Sequence, residues 1–199
     1  MDNLNRNDSD RILVTRVLGG ETKAFSIIIS NTERLVAQIV FKMIRDNEDR
    51  KDIAQDVFLK AFNKLSTFKF ESKLSTWIGQ ITYNTCLNYI EKKKLILFND
   101  FNDDNNEDQS FNNQISLSIS RYTDTDFLKN ELAQILKIEI DTLSPLYKTL
   151  IVLYHQEELS YSEIGQITQL PEGTVKNYLY RARKALKDNL LKKYKREDL

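Results

Sequence analysis

The chain has 199 residues, of which 41% are hydrophobic and 29% are charged, and its 29 basic and 29 acidic side chains give a net charge of zero. Cys86 is the sole cysteine and His155 the sole histidine, which excludes an internal disulfide and a zinc site built from cysteine and histidine ligands. The sequence contains no apolar run near eighteen residues, and its polar N-terminal segment does not resemble a secretory signal, so we expect a cytoplasmic protein without a membrane span.

Hydrophobic periodicity predicts helices along the chain and requires no strand, so we expect an all-α protein. The small numbers of glycine and proline, five and two, favour the same fold class. The first predicted helix, Asp10–Leu18, ends at two glycines. The second helix covers Glu21–Ile44, with an expected kink or break near Asn31. Residues 45–49 are predicted to form a polar turn, and a third helix is predicted to begin near Arg50.

The third helix, Asp52–Leu65, is predicted to be amphipathic. Its apolar residues fill one half of the helix at about 100° per residue; they are Ile53, Val57, Phe58, Ala61, Phe62 and Leu65. The opposite half contains Asp52, Gln55, Asp56, Leu59 and Asn63. A leucine between carboxylates and amides is either the centre of a small partner-binding patch or an ordinary exposed side chain. Periodicity alone leaves both interpretations open.

The loop at residues 66–73 contains two aromatic residues, Phe68 and Phe70, among polar ones. Such rings either plug the core or form a platform on which unpaired bases stack. The long helix that follows, Ser75–Lys94, ends in three lysines. Lysines suit the negative end of the helix dipole and could also contact a phosphate backbone.

The segment 97–125 breaks the helical periodicity and is rich in Asn and Asp. Residues 97–128 contain seven acidic residues and one arginine, a balance of −6. Because polar segments of this length are uncommon inside compact domains, we interpret it as a flexible acidic linker that becomes ordered only on a partner. The predicted organisation is two helical domains, residues 1–96 and 129–199, joined by the linker 97–128.

Two helices are predicted directly after the linker, Phe127–Leu143 and Pro145–His155, the second of them capped by Ser144. The end of the chain is strongly basic: residues 174–199 contain nine basic and three acidic side chains, a balance of +6. This charge predicts contact with a polyanion. The last basic residues, Lys192–Arg196, are expected to form a frayed helix end.

The stretch Leu159–Leu186 predicts a helix-turn-helix. Ser160 and Glu163 form a capping box at the start of its first helix, and Pro171 suits the first position of its second helix. Val175, Leu179, Ala182 and Leu186 recur at helical spacing and form a stripe to be buried. The opposite side presents Lys176, Asn177, Tyr180, Arg181 and Lys184. An apolar back with a cationic and amide-bearing front fits a DNA major groove, whereas a surface hairpin with a solvated basic face is the alternative.

The two halves together resemble the extracytoplasmic-function (ECF) sigma factors of bacterial RNA polymerase. The first half carries the resemblance in GETKAFSIII, DIAQDVFLKAFNKLSTF and FESKLSTWIGQITYNTCLNYIEKKK, and the second in LSYSEIGQITQLPEGTVKNYLYRARKAL. The resemblance implies a dissociable sigma subunit that directs core polymerase to promoter DNA, without a cofactor, a metal or a small-molecule substrate. An autonomous helix-turn-helix regulator is the second hypothesis, but the first half lacks the alternating strands of a receiver domain. An enzyme is disfavoured, because no Gly-rich phosphate loop, nucleophile–base pair or metal cluster is recognisable.

The resemblance also implies a role for each group of candidate residues. The third helix would dock on the basic clamp helices of the polymerase's largest subunit through Asp52, Gln55, Asp56 and Leu59. The loop and the helix after it would read the melted −10 strand with Phe68, Phe70, Glu71, Ser72, Lys73, Trp77, Asn84 and Asn88. The helix-turn-helix would read the −35 duplex at the major-groove positions Lys176, Asn177, Tyr180 and Arg181, with Arg183 and Lys184 on phosphates.

Further partners follow from the same resemblance. The family contacts the polymerase flap, its linker threads the polymerase near the active site and RNA exit path, and many members are held by an anti-sigma factor, often membrane-bound. The chain departs from the family pattern at Tyr178, where many relatives carry a base, and near Glu71. Trp77 is either core or DNA-facing, with the family pattern favouring DNA. We predict no chemical role for His155 or Cys86.

Overall fold

The computed structural model describes the backbone of residues 2–100 and 124–194 and the side chains of residues 8–94 and 132–194. Within these ranges the chain is all α-helical, as the sequence predicts, with one short 3₁₀ turn at Leu65–Thr67 and no strand. The helices are α1 (Asp2–Leu18), α2 (Thr22–Met43), α3 (Asn47–Lys64), α4 (Leu74–Asp100), α5 (Asp124–Thr142), α6 (Pro145–His155), α7 (Tyr161–Thr168) and α8 (Glu172–Lys193).

Two features of the first helices differ from the sequence prediction. Helix α2 is continuous through Asn31, so the predicted break is wrong, and the hydroxyl of the next residue, Thr32, donates to the Ile28 carbonyl at 2.7 Å within the helix. Residues 47–49 of the predicted polar turn are instead the first residues of α3, because the Asp46 carboxylate accepts from the backbone N–H groups of two residues in the first turn, at 2.8 and 3.2 Å. A capping aspartate satisfies donors that the helix itself leaves unpaired.

Helix α2 is the central helix of the first half. Its length and mean hydropathy of 1.2 meet the minimum for a membrane-spanning helix, which differs from the expectation that the sequence contains no candidate span. In the structure its apolar residues serve the core: Ala24, Phe25, Ile28, Leu35, Val36, Ile39, Val40 and Met43 are buried. Packing against α1, α3, α4 and α6 therefore accounts for the hydropathy of α2.

Both ends of the predicted linker, residues 97–128, are helical: α4 continues to Asp100, and α5 begins at Asp124. Residues 101–123 lie outside the described residues, so the flexible acidic linker stays a prediction. Helix α5 is also joined to the end of α8. The carboxylate of Glu139, which is fully buried, accepts from the Lys193 ammonium at 2.9 and 3.2 Å. The expected frayed end is therefore wrong for Lys193.

The two halves of the chain pack directly against each other. Helix α7 lies on α4, and α6 lies on α2. At the α4–α7 contact, a Cβ atom added to Gly79 would meet the Ile167 side chain at 3.0 Å, so a residue without a side chain permits this close approach. Lys42 and Asp141 add an ion pair of 2.7 Å between α2 and α5. The described helices of both halves thus form one packed unit.

Candidate polymerase and nucleic-acid interfaces

The predicted polymerase-docking residues lie together on the exposed side of α3. Ile53, Val57 and Ala61 are buried on the inner side, which orients the opposite side toward solvent. Asp52, Gln55, Asp56 and Leu59 are all exposed, and Leu59 is 63% exposed. We call these four residues the α3 patch.

Two contacts modify the α3 patch. The Asp56 carboxylate pairs with the Lys60 ammonium one turn away at 2.7 Å, and both side chains are about half exposed. Phe62, predicted to belong to the buried stripe, is 41% exposed and makes an edge-to-face contact with Phe25, with ring centroids 5.0 Å apart. Because of this exposure, the prediction that Phe62 is buried is wrong. The exposed edge of its ring adds apolar surface at that end of α3.

A cavity of about 290 Å³ lies between the loop after α3 and the first turns of α4. We call it the Trp77 cavity. Its lining comes from the loop and both halves of the chain: Thr67, Phe68, Lys69, Glu71, Ser72, Thr76, Trp77, Gln80 and Gln166. The lining combines a half-buried indole with hydroxyl and amide groups, which is the mixture needed to stack a flat ring and hydrogen-bond its edge.

The aromatic residues of the loop differ in their positions. Phe68 is 7% exposed and packs between the rings of Phe70 and Trp77, with centroids 4.7 and 5.2 Å away. It is therefore a core plug, the first of the two interpretations left open by the sequence. Phe70 is half-buried beneath the guanidinium of Arg11 at 4.8 Å, with a left-handed backbone (φ 58°). Trp77 fits both of its predicted roles: it packs on Phe68 as a core residue would, and it also lines the cavity, where a base could reach it.

The structure brings only some of the predicted −10 residues together. Glu71, Ser72 and Trp77 line the Trp77 cavity with Phe68, whereas Phe70 does not. Asn84 and Asn88 lie further along α4, seven and eleven residues beyond Trp77 and on the same side of the helix. They are half-buried and exposed respectively.

Lys73 points away from the cavity toward the second half of the chain. Its ammonium lies 2.7 Å from the carboxylate of Glu163 in α7. Burial tends to raise the pKa of Glu163, but hydrogen bonds from Lys73 and Ser160 outweigh that effect and hold the pKa below its ordinary value. The residue predicted to contact the melted strand is therefore engaged with the helix-turn-helix here.

Five polar residues that line the cavity are not among those predicted from the sequence: Thr67, Lys69, Thr76, Gln80 and Gln166. Gln80 lies three residues after Trp77 on α4, a spacing that places both side chains on one side of a helix. Gln166 comes from α7, 86 residues beyond Gln80 along the chain. No local pattern connects that residue to the cavity.

The helix-turn-helix has the predicted caps and turn. The Ser160 hydroxyl accepts from the Glu163 N–H at 3.2 Å, and the Glu163 carboxylate accepts from the Ser160 N–H at 2.9 Å, so the capping box is confirmed. A Cβ atom at Gly165 would lie 2.8 Å from the Leu170 carbonyl, and Gln169 is left-handed (φ 58°). Pro171 is the N-cap of α8 rather than its first helical residue.

The buried stripe of α8 is confirmed at Val175, Leu179 and Ala182, whereas Leu186 is half-buried. The six predicted −35 residues are all exposed on the other side: Lys176, Asn177, Tyr180, Arg181, Arg183 and Lys184. Tyr180 is 66% exposed. Tyr178, the departure from the family pattern, turns inward and packs on Tyr147 with centroids 6.0 Å apart. Its role is therefore one of packing.

The two residues without a predicted role differ in the structure. Cys86 is fully buried, and burial raises its pKa to about 12, so the thiolate needed for reactivity does not form near neutral pH. His155 instead contacts α8: its Nε2 accepts from Arg183 Nε at 3.3 Å. Burial, and then the charge of Arg183, lower the pKa of His155, which favours the neutral, accepting ring. No metal-binding cluster occurs among the described side chains.

Comparison with known proteins identifies both halves. The profile of Sigma-70 region 2 matches residues 28–96, and that of Sigma-70 region 4 matches residues 134–186. The chain is 30% identical over 177 residues to the ECF RNA polymerase sigma factor SigW of Bacillus subtilis, covering 89% of this chain and 94% of SigW. It is 31% identical over 185 residues to the ECF RNA polymerase sigma-E factor of Haemophilus influenzae, covering 92% and 95% of the two chains.

Two solved structures share the fold. CnrH, solved in complex with the cytosolic domain of CnrY, has a TM-score of 0.61 at 20% identity over 93% of this chain and 99% of CnrH. The sigma factor RpoE of Bartonella quintana, solved with the anti-sigma factor NepR, has a TM-score of 0.65 at 22% identity over 86% and 98%. With sigma-70 regions 2 and 4 present in order, and with relatives matched over nearly their full length, the chain belongs to the ECF sigma factors of the sigma-70 family.

Proposed function

We propose that this sigma factor binds core RNA polymerase through α3 and divides promoter recognition between the Trp77 cavity and the outer side of α8. The observation that carries the proposal is the presence of regions 2 and 4 in one chain, each with an exposed surface of suitable chemistry. Catalysis belongs to the polymerase, and the sigma factor selects where transcription begins.

The α3 patch supports polymerase docking. It offers two carboxylates around an exposed leucine, and the clamp helices of the polymerase are basic in this family. Charge complementarity of this kind steers association and fixes the register, while the apolar centre contributes buried area. Lys60 partly neutralises Asp56 in the free protein, but an exposed pair at this spacing is worth only about 0.5 kcal/mol and can exchange for a pair with the polymerase.

The Trp77 cavity supports capture of an unpaired −10 base. At about 290 Å³ it is close to the lower size limit of small-molecule sites. Flipping a base costs a few kcal/mol, and stacking on an aromatic ring returns roughly 1–3 kcal/mol. Trp77 would supply the stacking surface, and Ser72, Thr76 and Gln80 would supply hydrogen-bonding groups for the base edge.

The outer side of α8 supports recognition of the −35 duplex. Asn177 and Arg181 are one turn apart and exposed, and both side-chain types form bidentate hydrogen bonds with bases in the major groove. Basic neighbours such as Lys184 would contact phosphates, which supply affinity without sequence information.

Reading both elements requires the two halves to separate. The names of the elements place them roughly 25 base pairs apart, which is roughly 85 Å along B-DNA. In the packed unit α7 instead lies on α4, and Gln166 lines the cavity that would take the −10 base. We propose that docking on polymerase holds the two halves apart at promoter spacing. Without polymerase the chain would bind promoters weakly, because specific binding requires the Trp77 cavity and the outer side of α8 to contact DNA at the same time.

A cytoplasmic location follows from this role, because the polymerase and its promoters are cytoplasmic. An anti-sigma factor is a further expected partner. CnrH and the Bartonella RpoE were each solved with a second protein, CnrY and NepR, and NepR is described as an anti-sigma factor. Co-purification of the chain from its own cells, followed by identification of the bound protein, tests this part of the proposal.

The function itself is tested by transcription in vitro. Core polymerase with and without this protein is given a genomic DNA library, and the start sites are mapped. We expect a limited set of start sites that appear only with the protein and share two upstream elements at fixed spacing. The same start sites with and without the protein would contradict the proposal.

A further inference from the structure

A continuous row of aromatic and cationic side chains joins helices α6, α7 and α8. The rings of Tyr154 and Tyr161 stack nearly parallel, with an interplanar angle of 11° and centroids 5.0 Å apart. The guanidinium of Arg183 lies over the Tyr154 ring at 5.0 Å, and the ammonium of Lys176 lies over the Tyr161 ring at 5.2 Å. His155 closes the row by accepting from Arg183. We call these residues the tyrosine row.

The two cations occupy one edge of the recognition helix. Lys176 and Arg183 are seven residues apart, which is nearly two turns and about 10 Å of rise. At 100° per residue they lie within about 20° of each other, whereas Asn177, Arg181 and Lys184 follow a separate line roughly 100° around the helix. The exposed side of α8 therefore has two parallel rows, and the edge row is the one that contacts the tyrosines.

Contact with the tyrosines restricts side chains that are otherwise mobile. Free Lys and Arg side chains sample many rotamers, and this freedom is lost when they bind a phosphate. A cation–π contact at an exposed site favours one rotamer about two- to fivefold. Cations ordered in advance lose less entropy on binding.

Other neighbours leave the two cations available for DNA. Lys176 pairs with Glu172 at 2.8 Å, which raises the pKa of Lys176, but both side chains are about half exposed. Such a surface pair is weak and is screened by salt, so a phosphate can replace Glu172. The neutral ring of His155 holds Arg183 through Nε without adding a competing negative charge.

We propose that Tyr154 and Tyr161 are positioning residues that hold Arg183 and Lys176 for DNA phosphates along one edge of the recognition helix. Lys176 is then a phosphate contact, in contrast to its major-groove assignment by family resemblance. The inference rests on the proposed −35 function of α8 and adds the residues that prepare its backbone contacts.

The test measures how salt weakens binding to duplex DNA. The full chain is titrated against a labelled 30-base-pair duplex of random sequence by fluorescence anisotropy, between 50 and 200 mM salt. Each phosphate contact adds about 0.9 to the slope of log affinity against log salt. Removing the tyrosine rings leaves both cations charged, so the slope of the Tyr154→Leu/Tyr161→Leu double variant should stay near the parental value. Its affinity at each salt concentration should fall about 5- to 25-fold, which combines two losses of about two- to fivefold. Lys176→Gln and Arg183→Gln each remove a contact and should each lower the slope by about 0.9.

Matched variants separate positioning from stability. Tyr154→Phe/Tyr161→Phe keeps both rings and should keep the parental affinity. Tyr147→Leu removes a half-buried tyrosine of the same region that packs on Tyr178, and it should also leave the affinity unchanged. If the double leucine variant loses its helical circular dichroism, the single variant Tyr161→Leu decides, with an expected loss of affinity of about two- to fivefold for Lys176 alone.

Two outcomes would overturn the proposal. A folded leucine variant with the parental affinity would show that the tyrosines do not position the cations. Unchanged slopes in both Lys176→Gln and Arg183→Gln would show that the cations do not contact phosphates. Neither result depends on polymerase, whereas failure of the proposed sigma function appears as an absence of new start sites in transcription.

Discussion

Lys73, at the end of the loop before α4, places its ammonium 2.7 Å from the carboxylate of Glu163 in α7. The same carboxylate completes the capping box of the helix-turn-helix by accepting from the Ser160 N–H. One side chain therefore caps the first helix of the helix-turn-helix and joins region 4 to region 2. This geometry links the stability of the packed unit to the charge of Glu163.

The first prediction concerns pH. Because the pKa of Glu163 is held below its ordinary value, its charge stabilises the fold above the pKa of the unfolded chain, and this contribution is lost as pH falls through the folded pKa. Glu163→Gln keeps a capping side chain but removes the ion pair, so we expect a loss of about 0.5–1 kcal/mol at pH 7 and a smaller loss near pH 3. Urea denaturation at both pH values measures it. Lys73→Gln should lose the same free energy of unfolding as Glu163→Gln. If the losses of the two single variants add up in the double variant, the two residues do not interact.

The second prediction concerns the contact between the halves. A side chain at Gly79 would meet Ile167 at 3.0 Å and Leu35 at 3.4 Å, so Gly79→Val should force α7 away from α4. We expect a larger radius of gyration by small-angle X-ray scattering with helical content retained. Gly173→Val is the matched control, because nothing lies within 4 Å of the position of its added Cβ. Equal radii for the two variants would contradict the prediction.

The third prediction concerns polymerase binding. Asp56→Arg places a positive charge in the α3 patch beside Leu59, where like-charge contact with the basic clamp helices costs several kcal/mol. We expect affinity for core polymerase to fall at least about tenfold in a competition or pull-down assay. Glu33→Arg makes the same charge change at an exposed position on α2 and should bind like the parent. Parental binding by Asp56→Arg would remove the α3 patch as the docking face.

The fourth prediction concerns promoter melting. Trp77→Leu removes the stacking surface of the Trp77 cavity, and the loss of roughly 1–3 kcal/mol of stacking should slow open-complex formation about 5- to 150-fold. Permanganate reactivity of unpaired thymines on a duplex promoter measures the rate. Phe70→Leu is the companion variant, because Phe70 packs beside Phe68 but does not line the cavity. Phe70→Leu should slow open-complex formation much less than Trp77→Leu does. If Phe70→Leu were the slower variant, base capture would be assigned to Phe70.

The fifth prediction separates base reading from phosphate contact on α8. Arg181→Ala should cost about 1–3 kcal/mol at one base pair of the −35 element and relax the preference there. Arg183→Gln should weaken all sequences about equally and lower the salt slope by about 0.9. Holoenzyme binding to a set of single-base −35 variants distinguishes the two profiles. Loss of core-polymerase binding by Arg181→Ala would contradict the division of roles between α3 and α8.

Residue patterns along the chain predict the features that depend on neighbours within one or two helical turns. The capping box of Ser160 and Glu163, the buried stripe of α8 and the polar outer side of α3 are patterns of three- and four-residue spacing, which a helix converts directly into faces. The start of α3 was missed because a capping aspartate at residue 46 was interpreted as part of a turn, and aspartate suits both.

Which helix faces meet depends on how the folded chain packs. Gln166 reaches the Trp77 cavity, Glu163 pairs with Lys73, and His155 receives a hydrogen bond from Arg183. These partners are 28 to 99 residues apart, and their contact depends on how whole helices pack. Helix packing reflects the summed shape of many side chains, including a glycine at position 79 that permits close approach. Local periodicity carries no information about the summed shape of the packed side chains. The contact between the two halves of the chain is therefore visible only in the folded structure.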